Sequence, residues 1–185
     1  MSNGGSEIRV WSAGCAAAQE SYSVAILLNE LRETSGKDFS FRIFATDISQ
    51  EEIAKGTAGI FDAASLQNVR LKHLQRYFKP EGEEYAVVQG LKERLEFSTY
   101  DLLDRSTRSP SASVYGDFDL IICSNLLIYY RPQVRAFILD KLYRSLSPDG
   151  YLVLGEAERE FVGKSPGLQP VFAPAAVYRK RVRLP

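Results

Sequence analysis

An α/β fold with a mostly parallel sheet is the architecture that this sequence predicts, and three observations predict it. In the first half of the chain, short β-prone runs alternate with stretches of helical period. The run Phe118-Asp119-Leu120-Ile121-Ile122-Cys123 is almost continuously apolar, as suits a strand buried on both faces of a parallel sheet. Between residues 59 and 90 the alternation breaks. There the turn-rich Lys79-Pro80-Glu81-Gly82-Glu83 separates two β-prone segments, which predicts a small antiparallel hairpin inserted at about residues 75–90.

Taken in order, residues 1–7 are expected to be a flexible leader, since Met1-Ser2-Asn3-Gly4-Gly5-Ser6 lacks any apolar patterning; residues 8–185 form the domain. Ile8-Arg9-Val10-Trp11-Ser12-Ala13 is a strand ended by Gly14, and Trp11 on it is expected to be core packing. From Glu20 a 3.6-residue period through Tyr22, Ala25, Ile26 and Leu28 predicts a helix stopped at Ser35-Gly36. Phe41-Arg42-Ile43-Phe44-Ala45-Thr46 is the second strand. Ser49 followed by Glu51-Glu52 is the N-cap signature of the helix after it. Residues 63–74 have helical spacing, and Arg76-Tyr77-Phe78 and residues 85–88 are β-prone. His73 is expected on a helix surface.

Leu95-Glu96-Phe97-Ser98-Thr99 resumes the core strands. After the strand at 118–123, Pro132 opens a helix over 134–146 that closes at the turn Ser147-Pro148-Asp149-Gly150. Residues 151–154 are the next strand, and Val171-Phe172 with Val177-Tyr178 fit a final hairpin. The alternation in Arg179-Lys180-Arg181-Val182-Arg183 reads as an edge strand protected by basic side chains.

Composition excludes several classes of function. The 185 residues are 45% hydrophobic, which is enough for one domain with a real core, and 23 basic residues balance 23 acidic ones. Neutrality removes the cationic excess that nucleic acid or an anionic membrane surface requires, so neither is an expected partner. The apolar runs are far shorter than the roughly 20 residues of a membrane-crossing helix, and no secretory signal is visible, so a cytoplasmic location is expected. Cys15 and Cys123 with His73 are too few for a structural zinc site; the thiols are expected to be buried and free, with no metal bound.

In an open parallel sheet, ligands bind beyond the carboxyl ends of the strands where the strand order reverses. Four strand ends are candidates: Ser12-Ala13-Gly14-Cys15, Asp47, Asp101 and Asn125. A glycine after the first strand admits close approach of a ligand, and an acid after the second can accept bonds from ribose hydroxyls. G-x-G-x-x-G and Walker A patterns are both absent, which disfavours a pyrophosphate-bearing cofactor. One glycine with one acid suits S-adenosylmethionine, which has no phosphate to cradle. Asp47 read alone is as consistent with a helix cap.

Several segments together resemble the CheR family of chemotaxis receptor methyltransferases. Arg9-Val10-Trp11-Ser12-Ala13-Gly14-Cys15 with Glu20, Tyr22 and Ser23 resembles its first motif, and Phe44-Ala45-Thr46-Asp47-Ile48 its second. Arg76-Tyr77-Phe78 resembles the lead into its small β-subdomain. Phe118-Asp119-Leu120-Ile121-Ile122-Cys123-Ser124-Asn125-Leu126-Leu127-Ile128-Tyr129-Tyr130 resembles its most distinctive segment. The resemblance implies a class I, Rossmann-like S-adenosylmethionine-dependent methyltransferase fold with a seven-stranded sheet, which forms methyl esters on glutamate side chains of chemoreceptors and releases S-adenosylhomocysteine. It also implies a cleft in which Ala13 and Gly14 line the cofactor, Glu20 holds its amino-acid end, and Asp47 with Ile48 meets the ribose. Asp101 and Leu102 would flank the adenine, Asn125 and Leu126 would lie beside the methionine moiety, and Tyr129 would orient the reactive methyl. The implied partner is the cytoplasmic region of a chemoreceptor, met by the hairpin near residues 85–88.

The chain departs from the family pattern in three places. Ala16-Ala17-Ala18-Gln19-Glu20-Ser21 replaces Ser-Thr-Gly-Glu-Glu-Pro, Ser124 stands where Arg is usual, and Gly155-Glu156-Ala157-Glu158 replaces Gly-His-Ser-Glu. The family's helical N-terminal domain is expected to be missing. Two alternatives stay open on these grounds: a cofactor-binding scaffold without turnover, and a methyltransferase with another acceptor.

Overall fold

A computed structural model describes residues 6–113, 117–163, 167–172 and 174–181. Residues 1–5 of the expected leader, and Val182 and Arg183 of the expected edge strand, lie outside the described residues.

β1 (Ser6–Ala13) starts two residues before its apolar run and lies inside the sheet, so Val10 and Trp11 are fully buried. It pairs in parallel with β2 (Phe39–Asp47) on one side, Ala13 opposite Thr46, and with β7 (Phe118–Cys123) on the other, Trp11 opposite Ile121. Between β1 and β2 runs α1 (Gln19–Ser35), which buries Tyr22, Ala25 and Ile26, the residues that gave its period, and ends at Gly36 in the left-handed region. α2 (Gln50–Ala58) follows β2, with Ser49 Oγ accepting from the Glu52 N–H at 3.3 Å as its N-cap. Ser49→Ala is therefore expected to cost about 1 kcal/mol of stability, read as a shift of the urea midpoint; an unchanged midpoint would show that the cap carries no net stabilisation.

The insertion has three strands rather than two. β3 (Ile60–Asp62), β4 (Phe78–Glu81) and β5 (Glu84–Val87) form an antiparallel sheet in the order β3-β5-β4, so the segment near 85–88 is the central strand, paired on both sides. Only the end of the helix expected at 63–74 forms. Residues 63–68 are turns, and α3 (Leu71–Tyr77) takes Arg76 and Tyr77 into the helix, because Tyr77 is more stabilised as a buried residue bonded to Asn29 and Glu30 of α1 than as a strand residue. His73 is not a surface residue: its side chain is 13% exposed and Nε2 lies 3.6 Å from Glu30 Oε2.

A short helix α4 (Gln89–Lys92) leads to β6 (Leu95–Thr99), which pairs with β2. α5 (Pro132–Ser145) has Pro132 in its first turn. It passes directly into β8 (Leu146–Leu154), where the expected turn at 147–150 is absorbed as an irregularity opposite β7. β9 (Leu168–Phe172) and β10 (Val177–Lys180) make the final hairpin. The seven strands run in the order β6-β2-β1-β7-β8-β10-β9. The basic segment at 179–181 is thus not at an edge: β10 is flanked by β8 and β9, and β9 is the outer strand, with Val171 and Phe172 exposed. β10 reaches past β9 to pair with β8, which ends at Leu154, and alternation within the hairpin does not show which of its two strands makes that pairing. Among the described residues no helix is long and apolar enough to cross a membrane.

Candidate cofactor cleft

Strand order decides where a ligand sits. The chain leaves β1 toward β2 and β6, then returns to build β7 and β8 on the other side, so the order reverses at β1. Beyond the carboxyl ends of these strands lie Gly14, Asp47, Asp101 and Asn125, the four ends singled out by sequence.

The first loop is shaped by backbone geometry. Gly14, Ala16 and Ala18 all have positive φ (73°, 46° and 70°), so three residues in five sit in the left-handed region, two of them without glycine's freedom. The loop is tied down by Gly14 and Cys15, whose N–H groups both donate to Thr46 O at 2.8 and 2.9 Å, and by the Ala16 N–H, which donates to Asp47 Oδ2 at 2.9 Å. Asp47 Oδ1 accepts from the Ser49 N–H at 2.9 Å. The capping of α2 belongs to Ser49, so Asp47 is the brace between the first loop and the end of β2.

Across the cleft, Gly14 faces Leu126. A Cβ built at Gly14 would stand 2.8 Å from Leu126 Cδ2, so the two opposing walls meet where only a hydrogen fits. Asn125 is also left-handed (φ 56°), which turns the chain sharply out of β7. A buried carboxylate holds that turn. Glu158 is fully buried; its Oε1 accepts from the N–H groups of Leu127 (2.6 Å) and Ile128 (3.3 Å), and its Oε2 from those of Asn125 (3.0 Å) and Gly155 (2.8 Å). Gly155 must be small, because a Cβ there would lie 2.7 Å from Asn125 Oδ1 and 2.9 Å from Asn125 N. Sequence reasoning did not place Glu158 in the site. The available signal was the acid that closes the Gly155-Glu156-Ala157-Glu158 segment.

The remaining candidates divide. Glu20 is exposed in the first turn of α1, and its carboxyl is held above the usual range chiefly by partial removal from water, opposed by a hydrogen bond with Ser124 and reinforced by the charge of Glu158. Asp101 is exposed and accepts the Leu103 N–H at 2.8 Å. Ile48 is exposed at the mouth, whereas Ala13 and Leu102 are buried in the core, so Leu103 presents more apolar surface there than Leu102. Tyr129 stands outward, 79% exposed, at the end of a single 3-10 turn. Tyr130 instead is half-buried against the core, and its phenol is pushed up by burial first and then by Asp101, Cys123 and Asp47. Cys15 and Cys123 are both buried and free; burial, then Asp47, pushes the Cys15 thiol up to about 12, so it is no nucleophile at neutral pH. Trp11 is core packing, 5.3 Å from the ring of Phe118, with its Nε1–H donating to Thr46 Oγ1 at 2.9 Å.

The model of the family described as CheR methyltransferase, SAM binding domain, matches residues 1–173. The chain belongs to this family. Among its relatives are chemotaxis protein methyltransferase 1 of Pseudomonas aeruginosa, 35% identical over 84% of this chain and 56% of its own length, and the chemotaxis protein methyltransferase of Salmonella typhimurium, 35% identical over 82% and 52%. This CheR domain spans about half the length of the curated relatives it matches. The crystal structure of the N-methyltransferase NodS from Bradyrhizobium japonicum in complex with S-adenosylhomocysteine aligns with 94% of this chain and 78% of its own at a TM-score of 0.53 and 16% identity, which shows the class I methyltransferase fold.

The residues present fit S-adenosylmethionine. Gly14 leaves its backbone bare at the end of β1, and the exposed Glu20 and Asp101 with the half-exposed Asp47 put carboxylates suited to hydroxyl, ammonium and sulfonium groups at the same strand ends. Among the described residues, none of Glu20, Asp47, Asp101 and Glu158 has a Lys or Arg nitrogen within 4.0 Å.

Proposed function

We propose that this chain is the catalytic domain of a protein-glutamate methyltransferase that acts on the cytoplasmic region of a chemoreceptor. The observation that carries the reading is the convergence of Gly14, Asp47 and the Glu158-braced Asn125 turn in a chain of the CheR family. In this reading Asp47, with Ile48 beside it, receives the ribose, Glu20 the ammonium group, Asp101 and Leu102 the adenine side, and Asn125 and Leu126 the methionine chain. When bound, S-adenosylmethionine supplies an activated methyl on a cationic sulfur. The acceptor needs no general base, since a glutamate with an ordinary pKa near about 4.3 is already an anion at neutral pH. The protein's work is alignment and exclusion of water, and good alignment alone is worth up to roughly 7–11 kcal/mol of barrier.

Tyr129 orients the reactive methyl only if its exposed ring turns inward when the acceptor docks; Tyr130, half-buried against the core, is the alternative. The small sheet around β5 is the proposed contact for the receptor. The exposed position of Tyr129 favours one second reading, a cofactor-binding module without turnover.

Calorimetric titration with S-adenosylhomocysteine, followed by transfer of radiolabelled methyl to receptor-containing membranes, tests the proposal. The expected result is saturable binding and incorporation of label that mild base releases as methanol, the mark of a carboxyl ester. Binding without transfer would support the scaffold. Base-stable label would mean a different acceptor group, and no binding by folded protein would defeat both readings.

A further inference from the structure

We propose that Lys141 of α5 is a positioning residue for the cofactor, holding the loop after β6 so that Asp101 and Leu102 are set in place for the adenine. This rests on the cofactor assignment above and extends it to a residue that makes none of the assigned contacts itself.

Lys141 is 6% exposed, on a helix whose other buried residues are Ile138, Leu142 and Ser145. Among the described residues no carboxylate oxygen lies within 4.0 Å of its ammonium group. Burying a cation costs free energy that an apolar side chain of similar length would not cost. Packing alone therefore does not account for a lysine here. Its head group meets the loop instead. Nζ donates to the Asp104 carbonyl oxygen and, at 3.2 Å, to the Tyr100 hydroxyl, and it lies 5.1 Å and 5.5 Å from the ring centroids of Tyr100 and Phe137. The two oxygens take its hydrogens, and the ring faces attract its charge.

From that carbonyl a short chain of bonds leads back to the cleft. The Asp104 N–H donates to Asp101 O at 3.1 Å and the Leu103 N–H to Asp101 Oδ1 at 2.8 Å, so Asp101 and Asp104 belong to one turn. At its start the Tyr100 N–H donates to Asp47 O at 2.9 Å, which joins the turn to the residue assigned to the ribose. The Asp104 carboxylate is spent within the loop, on the Ser106 N–H at 2.8 Å and the Thr107 hydroxyl at 2.9 Å. Farther on, Ser145 Oγ donates to Arg108 O at 3.0 Å, so of the bonds from α5 those of Lys141 fall nearest to Asp101 along the loop. Asp101 and Leu103 are exposed, and a turn in water that is left unanchored must be ordered again by each ligand that binds.

The test is calorimetric titration of the full chain with S-adenosylhomocysteine for the parent, Lys141→Met and Tyr100→Phe, with hydrogen exchange measured on each. Lys141→Met is expected to weaken binding about tenfold, the size of one hydrogen bond from a charged group, at the parent's stoichiometry. The amides of Leu103, Asp104 and Ser106 should exchange about tenfold faster, while those of Trp11 and Ile121 keep the parent's rates. Tyr100→Phe keeps the ring and removes the hydroxyl to which Lys141 and Thr107 both donate, so about a threefold loss is expected, and it decides the matter if Lys141→Met does not fold. A lysine that serves stability alone would lower the melting temperature and the fraction of protein able to bind, without changing the affinity of that fraction. That outcome, or affinity within about twofold of the parent in the folded variants, would overturn the inference while leaving the cofactor assignment standing. Failure of folded parent to bind the ligand would overturn both.

Discussion

Replacing Glu158 by Ala is expected to lower stability by about 3 kcal/mol or more, because four N–H donors lose their acceptor at once, and for the two buried ones, those of Leu127 and Gly155, each unmet donor costs roughly 1–3 kcal/mol before water enters the gap. For a domain of this length the melting temperature should then fall by about 6–12 °C. The damage is expected to concentrate in one place. Asn125, Leu127 and Ile128 would lose their common anchor to Gly155, so their amides should exchange with solvent far faster than those of Trp11 or Ile121. Calorimetry together with hydrogen exchange checks both parts. A melting temperature within about 2 °C of the parent would mean that water or a rearranged backbone replaces the carboxylate without loss.

Gly14→Val is expected to abolish measurable binding of S-adenosylhomocysteine while leaving a folded protein. The backbone at Gly14 has φ 73°, which costs a side-chain-bearing residue about 1–2 kcal/mol and more if β-branched. The new Cβ would also meet Leu126 Cδ2 at 2.8 Å. Leu126 can yield only by turning away from the cleft, since the N–H groups on either side of it, those of Asn125 and Leu127, are held by Glu158. The substitution thus covers the Gly14 backbone and pushes Leu126 out of its place in the opposite wall, and affinity is expected to fall by at least about 100-fold, equivalent to roughly 2.7 kcal/mol. An unfolding free energy, from urea titration, lowered by no more than about 2 kcal/mol, alongside lost binding, would separate the cleft from the core. Retained affinity would mean that the ligand does not rest on the Gly14 backbone.

The elements that could be read from the sequence are those whose burial is decided locally. Tyr22, Ala25 and Ile26 fall on one face of α1 whatever surrounds it, and the unbroken apolar run of β7 requires cover on both faces. The insertion was harder. β3 has three residues and exists because Phe61 finds Tyr85 opposite it, a partner 24 positions away that no local period announces. Tyr77 joins a helix because Asn29 and Glu30 of α1 bond its hydroxyl. Arg179 and Lys180 lie on an inner strand because β9, earlier in the chain, occupies the outer position.

The cleft divides in the same way. Sequence alone determined that glycine, aspartate and asparagine stand at the ends of consecutive parallel strands, because strand ends follow from apolar runs and the turns that stop them. It also established that the chain's charges sum to zero. Tertiary structure decided which partners those charges meet: Lys55 pairs with Glu51 and Glu52 and Arg76 with Glu30 and Glu33, whereas among the described residues the Glu158 carboxylate is met by backbone N–H groups. It decided too that Tyr129 is exposed to solvent while Tyr130 packs against the core, and that Glu158, 33 positions from Asn125, is the residue that holds the turn. The physical reason is common to all three. Side-chain direction and electrostatic environment are set by whichever elements happen to pack together, and that packing is a property of strand order rather than of neighbouring residues.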